Sequence, residues 1–277
     1  GASLVPYLNA KYSVKTISLR GYTEGEISLS NVNSVIHLAG VAHKMTEINP
    51  NEYFKINRDL TLRFAHEAKT AGVQHFVYIS STKVYGEGSS YYNESSECLP
   101  NDPYGQSKLD AEYELKKIET ETFKVAIIRP PLVYGAGVKG NLFNLVSLVN
   151  RFRIIPLGGI HNQRSMVYIG NLVALIEHVV LNQNSGIVLA GDKQLHSTSY
   201  LVESISKGLS STNKIISLPI IVRKIISKLK PSLGKRLFDS LVFDNTETNQ
   251  KINFTPPYSF EQGIQEMTSH YISSRSQ

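Results

Sequence analysis

The chain has 277 residues, 41% hydrophobic and 19% charged, which suits one large globular domain or a domain with a smaller lobe. Its single cysteine, Cys98, excludes an intramolecular disulfide and any metal site built on several thiolates, and no run approaches the roughly 20 apolar residues of a bilayer span, so a cytoplasmic protein is expected. The net charge of +6 is scattered, with no arginine-rich or aromatic-interleaved segment; this argues against a nucleic-acid partner and suits phosphorylated small molecules.

From the first residue, Gly1-Ala2-Ser3 runs straight into Leu4-Val5-Pro6-Tyr7-Leu8. Short β-branched runs follow at residues 14–19, 35–38, 76–79 and 125–128, alternating with helical patterns over 57–71, ending at Gly72, and over 104–120. That alternation predicts a parallel sheet with crossover helices, an α/β fold. The connection from Arg20 to Ser34 is too short for a further strand and helix. After Gly135, glycines lead into Leu142, Leu145, Val146 and Val149 at helical spacing, then a turn near residues 156–159, as for a lobe inserted beside the sheet. A helix from about Asn171, a strand near 187–190 and then mostly helices complete the chain, with a break at Pro256-Pro257. Residues 214–236 interleave isoleucines with Arg223, Lys224, Lys228, Lys230, Lys235 and Arg236 and predict a basic amphipathic helix, either packing one face on the core or making weak membrane contact. Dinucleotide folds open on a strand and a glycine-rich turn leading into a helix; Gly1-Ala2-Ser3 looks like a fragment of that turn, so a strand and part of the loop are expected to precede Gly1.

Chemistry concentrates in Tyr104-Gly105-Gln106-Ser107-Lys108, where Tyr104 and Lys108 lie one helical turn apart on the same face. A phenol near pKa 10 is a poor base at neutral pH, and a neighbouring ammonium stabilises the phenolate. Alone, the pair also fits an ordinary surface helix. About twenty residues earlier, the apolar strand 76–79 ends in Ser80-Ser81-Thr82-Lys83-Val84-Tyr85-Gly86, and ligands of doubly wound sheets bind outside the carboxyl ends of strands. Ser80 and Thr82 read equally as turn residues.

Together these segments resemble the extended short-chain dehydrogenase/reductase superfamily, in its NAD-dependent epimerase/dehydratase branch of nucleotide-sugar enzymes. His37-Leu38-Ala39-Gly40 looks like that family's strand end beside the cofactor, Asn57 with Thr61 like its Asn-x-x-x-Thr element, and residues 80–86 like its serine loop. The resemblance implies a Rossmann-like doubly wound parallel sheet with a smaller, mostly helical C-terminal substrate lobe. It divides the chain into 1–137 with 165–192 for the cofactor and 138–164 with 193–277 for the nucleotide sugar. Catalysis would fall to Ser81, Tyr104 and Lys108. NAD or NADP would meet Gly1, Ala2, Ser3, Arg20, Leu38, Ala39, Gly40, Asn57, Tyr104, Lys108, Pro131, Leu132 and Val133. A UDP-sugar would meet Ser81, Thr82, Asn141, Arg164 and Arg236, with arginine forks suited to the diphosphate.

The 4,6-dehydratases of the branch carry an Asp-Glu pair where this chain has Thr82 and Lys83, so dehydration is not expected. Arg20 stands where NAD-binding members often carry an acid; it fits the 2′-phosphate of NADP or an exposed strand end. The expected activity is hydride transfer at C4 of a UDP-hexose or UDP-N-acetylhexosamine, as 4-epimerase or 4-keto reductase, in a homodimer serving surface polysaccharide synthesis. The alternatives are a non-catalytic dinucleotide-binding regulator, and an epimerase of a lipid-diphosphate sugar docking through the basic stretch. No metal is expected: His37, His43 and His161 lack a ligand-type cluster.

Overall fold

The structure, a computed structural model, describes residues 1–41 and 49–275, so His43 lies outside the described residues. In chain order the elements are α1 (Leu4–Asn9), β1 (Ser34–His37), α2 (Pro50–Tyr53), a π-helical segment (Phe54–Leu60), α3 (Thr61–Thr70), β2 (His75–Ile79), a 3₁₀ turn (Thr82–Tyr85), β3 (Tyr91–Tyr92) and α4 (Pro103–Ile118). There follow β4 (Lys124–Arg129), β5 (Leu132–Tyr134), α5 (Asn141–Arg151), β6 (Ile154–Gly158), β7 (Met166–Tyr168), α6 (Ile169–Leu181), β8 (Gly186–Leu189) and α7 (Thr198–Gly208). The last are β9 (Lys214–Ser217), α8 (Ile220–Leu229), α9 (Pro231–Phe238), β10 (Val242–Phe243), α10 (Thr246–Ile252) and α11 (Phe260–Ser273).

Strands β1, β2, β4 and β8 form a parallel sheet in that order, with Val35 opposite Phe76 and Phe76 opposite Val125. Because side chains alternate across a strand, the sheet feeds two cores. Phe76, Tyr78, Val125 and Ile127 pack with Phe64 and Ala68 of α3 and Ala111 and Leu115 of α4. Val77, Ala126 and Ile128 pack on the opposite face with Leu4 and Leu8 of α1 and Leu172 and Ile176 of α6. Helices on both faces make the doubly wound arrangement that the alternation predicts. Gly72, at φ +83°, ends α3 as expected. A third core joins α5, α7 and α11 through Val146, Ile205 and Met267, beneath the two-stranded β6–β9 ribbon.

Three expectations fail. Residues 14–19 form no strand, because among the described residues no ladder partner meets them, although Ile17 and Leu19 still pack on the α3–α4 side. The turn expected at 156–159 is strand as far as Gly158, with Pro156 accommodated in a ribbon of only two strands. The helix expected over 214–236 is instead β9 followed by α8 and α9, interrupted at Lys230-Pro231, because proline cannot continue a preceding helix. No residue of α8 is buried.

Candidate functional site

The site grows from the carboxyl end of β2. Beyond Ile79 the backbone continues along β4 through Ser80 N–H to Ile128 O (2.8 Å) and Thr82 N–H to Pro130 O (3.1 Å). Ser81 is extended, at φ −161° and ψ 151°, and its hydroxyl caps the 3₁₀ turn by accepting from Lys83 N–H at 3.2 Å. Gly86 closes the loop at φ +78°, where a Cβ would collide with the Leu99 carbonyl and the Asn101 side chain. Asp102 then starts α4, accepting from Gly105 N–H at 2.7 Å ahead of Pro103 in the first turn.

This cap sets Tyr104 against Ser81, with which it shares a hydrogen bond, while Tyr53 meets the Tyr104 ring edge-on at 6.1 Å. One turn on, the buried Lys108 ammonium donates to Ile79 O at 2.9 Å and lies 4.6 Å from the centre of the Tyr78 ring. Burial pushes Lys108 down to about 8, against the nearby negative charge of Glu112. Burial also pushes the Tyr104 phenol up, and the Ser81 hydrogen bond offsets part of that. In this geometry the Lys108 ammonium is turned to the Ile79 carbonyl rather than to the Tyr104 phenol. A buried ammonium takes the acceptor within reach, and that acceptor is the Ile79 carbonyl.

Asn57 sits in the π-helical segment and is fully buried. Its side chain accepts from Val41 N–H (2.8 Å) and donates to Val41 O (3.1 Å) and the Ser107 hydroxyl (3.0 Å), pinning the loop after β1 to α4. Thr61 pairs with His37 Nε2 at 2.9 Å, and burial pushes His37 down to about 3, so that imidazole is neutral. A Cβ on Gly40 would come within 2.9 Å of Asn57 Oδ1 and 3.3 Å of Lys108 Nζ. Leu38, Ala39, Gly40, Asn57, Tyr104 and Lys108 thus belong to one neighbourhood.

Beside it lies a cleft of about 440 Å³, into which Gly1, Ala2, Ser3, Leu38, Ile79 and Val133 all project. It opens where strands β1 and β2 end, the position at which doubly wound sheets bind ligands. Pro131 is buried and Leu132 exposed next to Val133 in β5. Arg20 is exposed in a turn and does not line the cleft. Among the substrate candidates, Thr82 is buried, while Asn141 is exposed as the first residue of α5. Arg164 donates through Nη1 to Lys235 O (3.2 Å) and Asp239 O (3.1 Å), binding the end of α9, on which Arg236 is exposed.

The sequence reading missed a buried network behind Ser81. Arg129 donates to both Glu112 oxygens (3.1 and 3.2 Å from Nε, 2.5 Å from Nη2) and to the Tyr85 hydroxyl (2.7 Å), and Ser80 donates to Glu112. Burial opposes the Arg129 charge, and Glu112 outweighs it, raising the guanidinium pKa. The available signal was spacing: Glu112 follows Tyr104 and Lys108 at the same four-residue interval on α4. Among the described residues, no group of three or more His, Cys, Asp or Glu side chains could hold a metal, and no helix is long and apolar enough to cross a membrane.

The sequence pattern of the NAD dependent epimerase/dehydratase family matches residues 7–191. The UDP-glucose 4-epimerase of Vibrio cholerae is 32% identical across 90% of this chain and 80% of its own length. The N-acetyl-alpha-D-glucosaminyl-diphospho-ditrans,octacis-undecaprenol 4-epimerase of Escherichia coli O157:H7 is 26% identical across 86% of this chain and 77% of its own. In architecture the chain resembles RMD from Pseudomonas aeruginosa complexed with NADPH (TM-score 0.75, 20% identity, 99% of this chain and 95% of that one). It also resembles the UDP-glucuronic acid 4-epimerase from Bacillus cereus in complex with NAD (TM-score 0.70, 18% identity, 88% and 76%).

Proposed function

The chain belongs to the NAD-dependent epimerase/dehydratase family, and from that premise we propose that it moves hydride at C4 of a nucleotide-linked hexose or N-acetylhexosamine, acting as a 4-epimerase. The observation that carries this reading is the hydrogen-bonded Ser81–Tyr104 pair at the end of β2, with Lys108 one helical turn away. The similarity to two proteins named as sugar 4-epimerases supports the epimerase form over a 4-keto reductase.

The cleft fits a dinucleotide in that it lies outside the strand ends and is lined by Gly1, Ala2 and Ser3 at the start of α1. Residues 1–137 and 165–192 would hold the cofactor, through Gly1, Ala2, Ser3, Leu38, Ala39, Gly40, Asn57, Pro131, Leu132 and Val133. Arg20 would favour NADP if it reaches a 2′-phosphate. When bound, NAD or NADP would supply a hydride acceptor and donor for C4. Tyr104 exchanges the proton of the C4 oxygen, as a neutral phenol donating to the ketone and as phenolate accepting from the alcohol. Ser81 orients that oxygen, since a hydroxyl both donates and accepts. Lys108, one helical turn from Tyr104, would favour the phenolate. Segments 138–164 and 193–277 would hold the sugar nucleotide, with Thr82 and Asn141 at the sugar and Arg164 and Arg236 at the diphosphate. A homodimer through α3 and α4 and a role in polysaccharide synthesis in the cytoplasm complete the proposal.

The test is incubation with UDP-GlcNAc or UDP-glucose, no cofactor added, followed by NMR for the C4 epimer. Epimer formation supports the reading. Absence of epimer, with NAD(P)H consumed on a 4-keto-6-deoxy sugar nucleotide, would replace it with the reductase.

A further inference from the structure

Among the described residues, helix α8 meets the rest of the molecule along one side. Arg223 donates to Leu218 O (3.0 Å), Gly159 O (3.0 Å) and Gly158 O (3.2 Å), tying the helix to the β6–β9 ribbon. Gly234 of α9 presses on Ser227, where a Cβ would come within 2.7 Å of the Ser227 Cα. At 100° per residue these two contacts define the inner face. The outer face is an apolar stripe at four-residue spacing: Ile221 is 69% exposed, Ile225 51% and Leu229 76%. Lys224 and Lys228 form a parallel stripe along its edge, and both are exposed. No Asp or Glu occurs between Lys214 and Phe238.

We propose that the outer face of α8 docks on an anionic lipid bilayer, with the isoleucine–leucine stripe entering the acyl boundary and the lysine stripe at the headgroups. An exposed apolar stripe of this length needs a cover, and amphipathic helices with a basic edge suit the interface of anionic membranes. Charge selects among covers. A two-fold pairing of copies would set this acid-free surface against itself. A single-stranded nucleic acid would stack on aromatic side chains, and the stripe has none. This inference goes beyond the proposed activity and does not depend on it. Docking would bring the far end of the α8–α9 pair, where Arg164 holds the Lys235 and Asp239 carbonyls, close to the lipid surface.

Sedimentation of the full chain with phosphatidylglycerol-containing vesicles, and separately with pure phosphatidylcholine vesicles, tests the proposal. We expect binding to the first at low salt, reduced on the order of ten-fold in the second and by salt that shortens the Debye length to a few ångströms. Ile221→Asp/Leu229→Asp should lose on the order of ten-fold or more of that binding, with the melting temperature unchanged because both side chains face outward. Lys224→Glu/Lys228→Glu should do the same. The proposal is overturned if the wild-type chain stays in the supernatant or binds both vesicles equally. It is also overturned if the aspartate variant binds undiminished, or if that variant splits a wild-type dimer that has no affinity for vesicles.

Discussion

Tyr104 carries the most exposed claim. Tyr104→Phe keeps the ring against Tyr53 and removes only the proton carrier, so turnover should fall 10²- to 10⁴-fold while sugar-nucleotide binding stays within a few-fold. Single-turnover kinetics beside calorimetric titration would separate the two, and undiminished turnover would sink the assignment. His37 governs a different observable. Its folded pKa, about 3, lies below the ordinary value of 6.5, so from pH 6.5 down to 3 the unfolded chain binds the extra proton. Stability from this group is complete above pH 6.5 and is lost progressively as the pH falls, by a few kcal/mol in all. Urea midpoints should decline over that window in the wild type and decline less in His37→Gln.

Among elements, the serine loop and α4 act as a unit. Gly86→Ala forces both a strained φ and a collision with Leu99, so it should lower the urea midpoint and the turnover number together; a purely catalytic lesion would spare the first. The Glu112–Arg129 pair joins α4 to β4 in the interior. Glu112→Gln strands a buried guanidinium and should cost about 3–5 kcal/mol in denaturant titration, whereas Glu112→Gln/Arg129→Met should regain part of that loss. The sequence made α4, β2 and the Ser81–Tyr104–Lys108 set legible because capping, periodicity and motif spacing are local. It did not reveal the Glu112–Arg129 pair, since a Glu on a charged helix looks solvated until the fold brings Arg129 to it. Nor could it tell whether the 14–19 run meets a ladder, or that Pro231 ends α8 with its isoleucines uncovered: both depend on what lies opposite. The direction of the Lys108 ammonium was hidden for the same reason, because the Ile79 carbonyl reaches it only through the β2–α4 packing.

At the scale of the molecule, two cores flank the sheet, a third lies beyond β5, and a smaller fourth gathers Tyr85, Tyr92, Leu109 and Leu189. The first two draw on nearly consecutive segments between Leu4 and Ala190, apart from the late contribution of Ile252, whereas the third needs both Leu142 on α5 and Tyr271 on α11. That separation sets a schedule for the nascent chain. At ribosomal speeds, the roughly 130 residues between Leu142 and Tyr271 take on the order of ten seconds to appear, and for that interval Leu142, Val146 and Val149 have no α11 to cover them. Chains halted before Phe260 should therefore bind a hydrophobic dye and aggregate while keeping a protease-resistant sheet, whereas chains released after Tyr271 should do neither. Until α11 is made, the middle of the nascent chain is therefore expected to be a substrate for chaperones that bind exposed apolar segments.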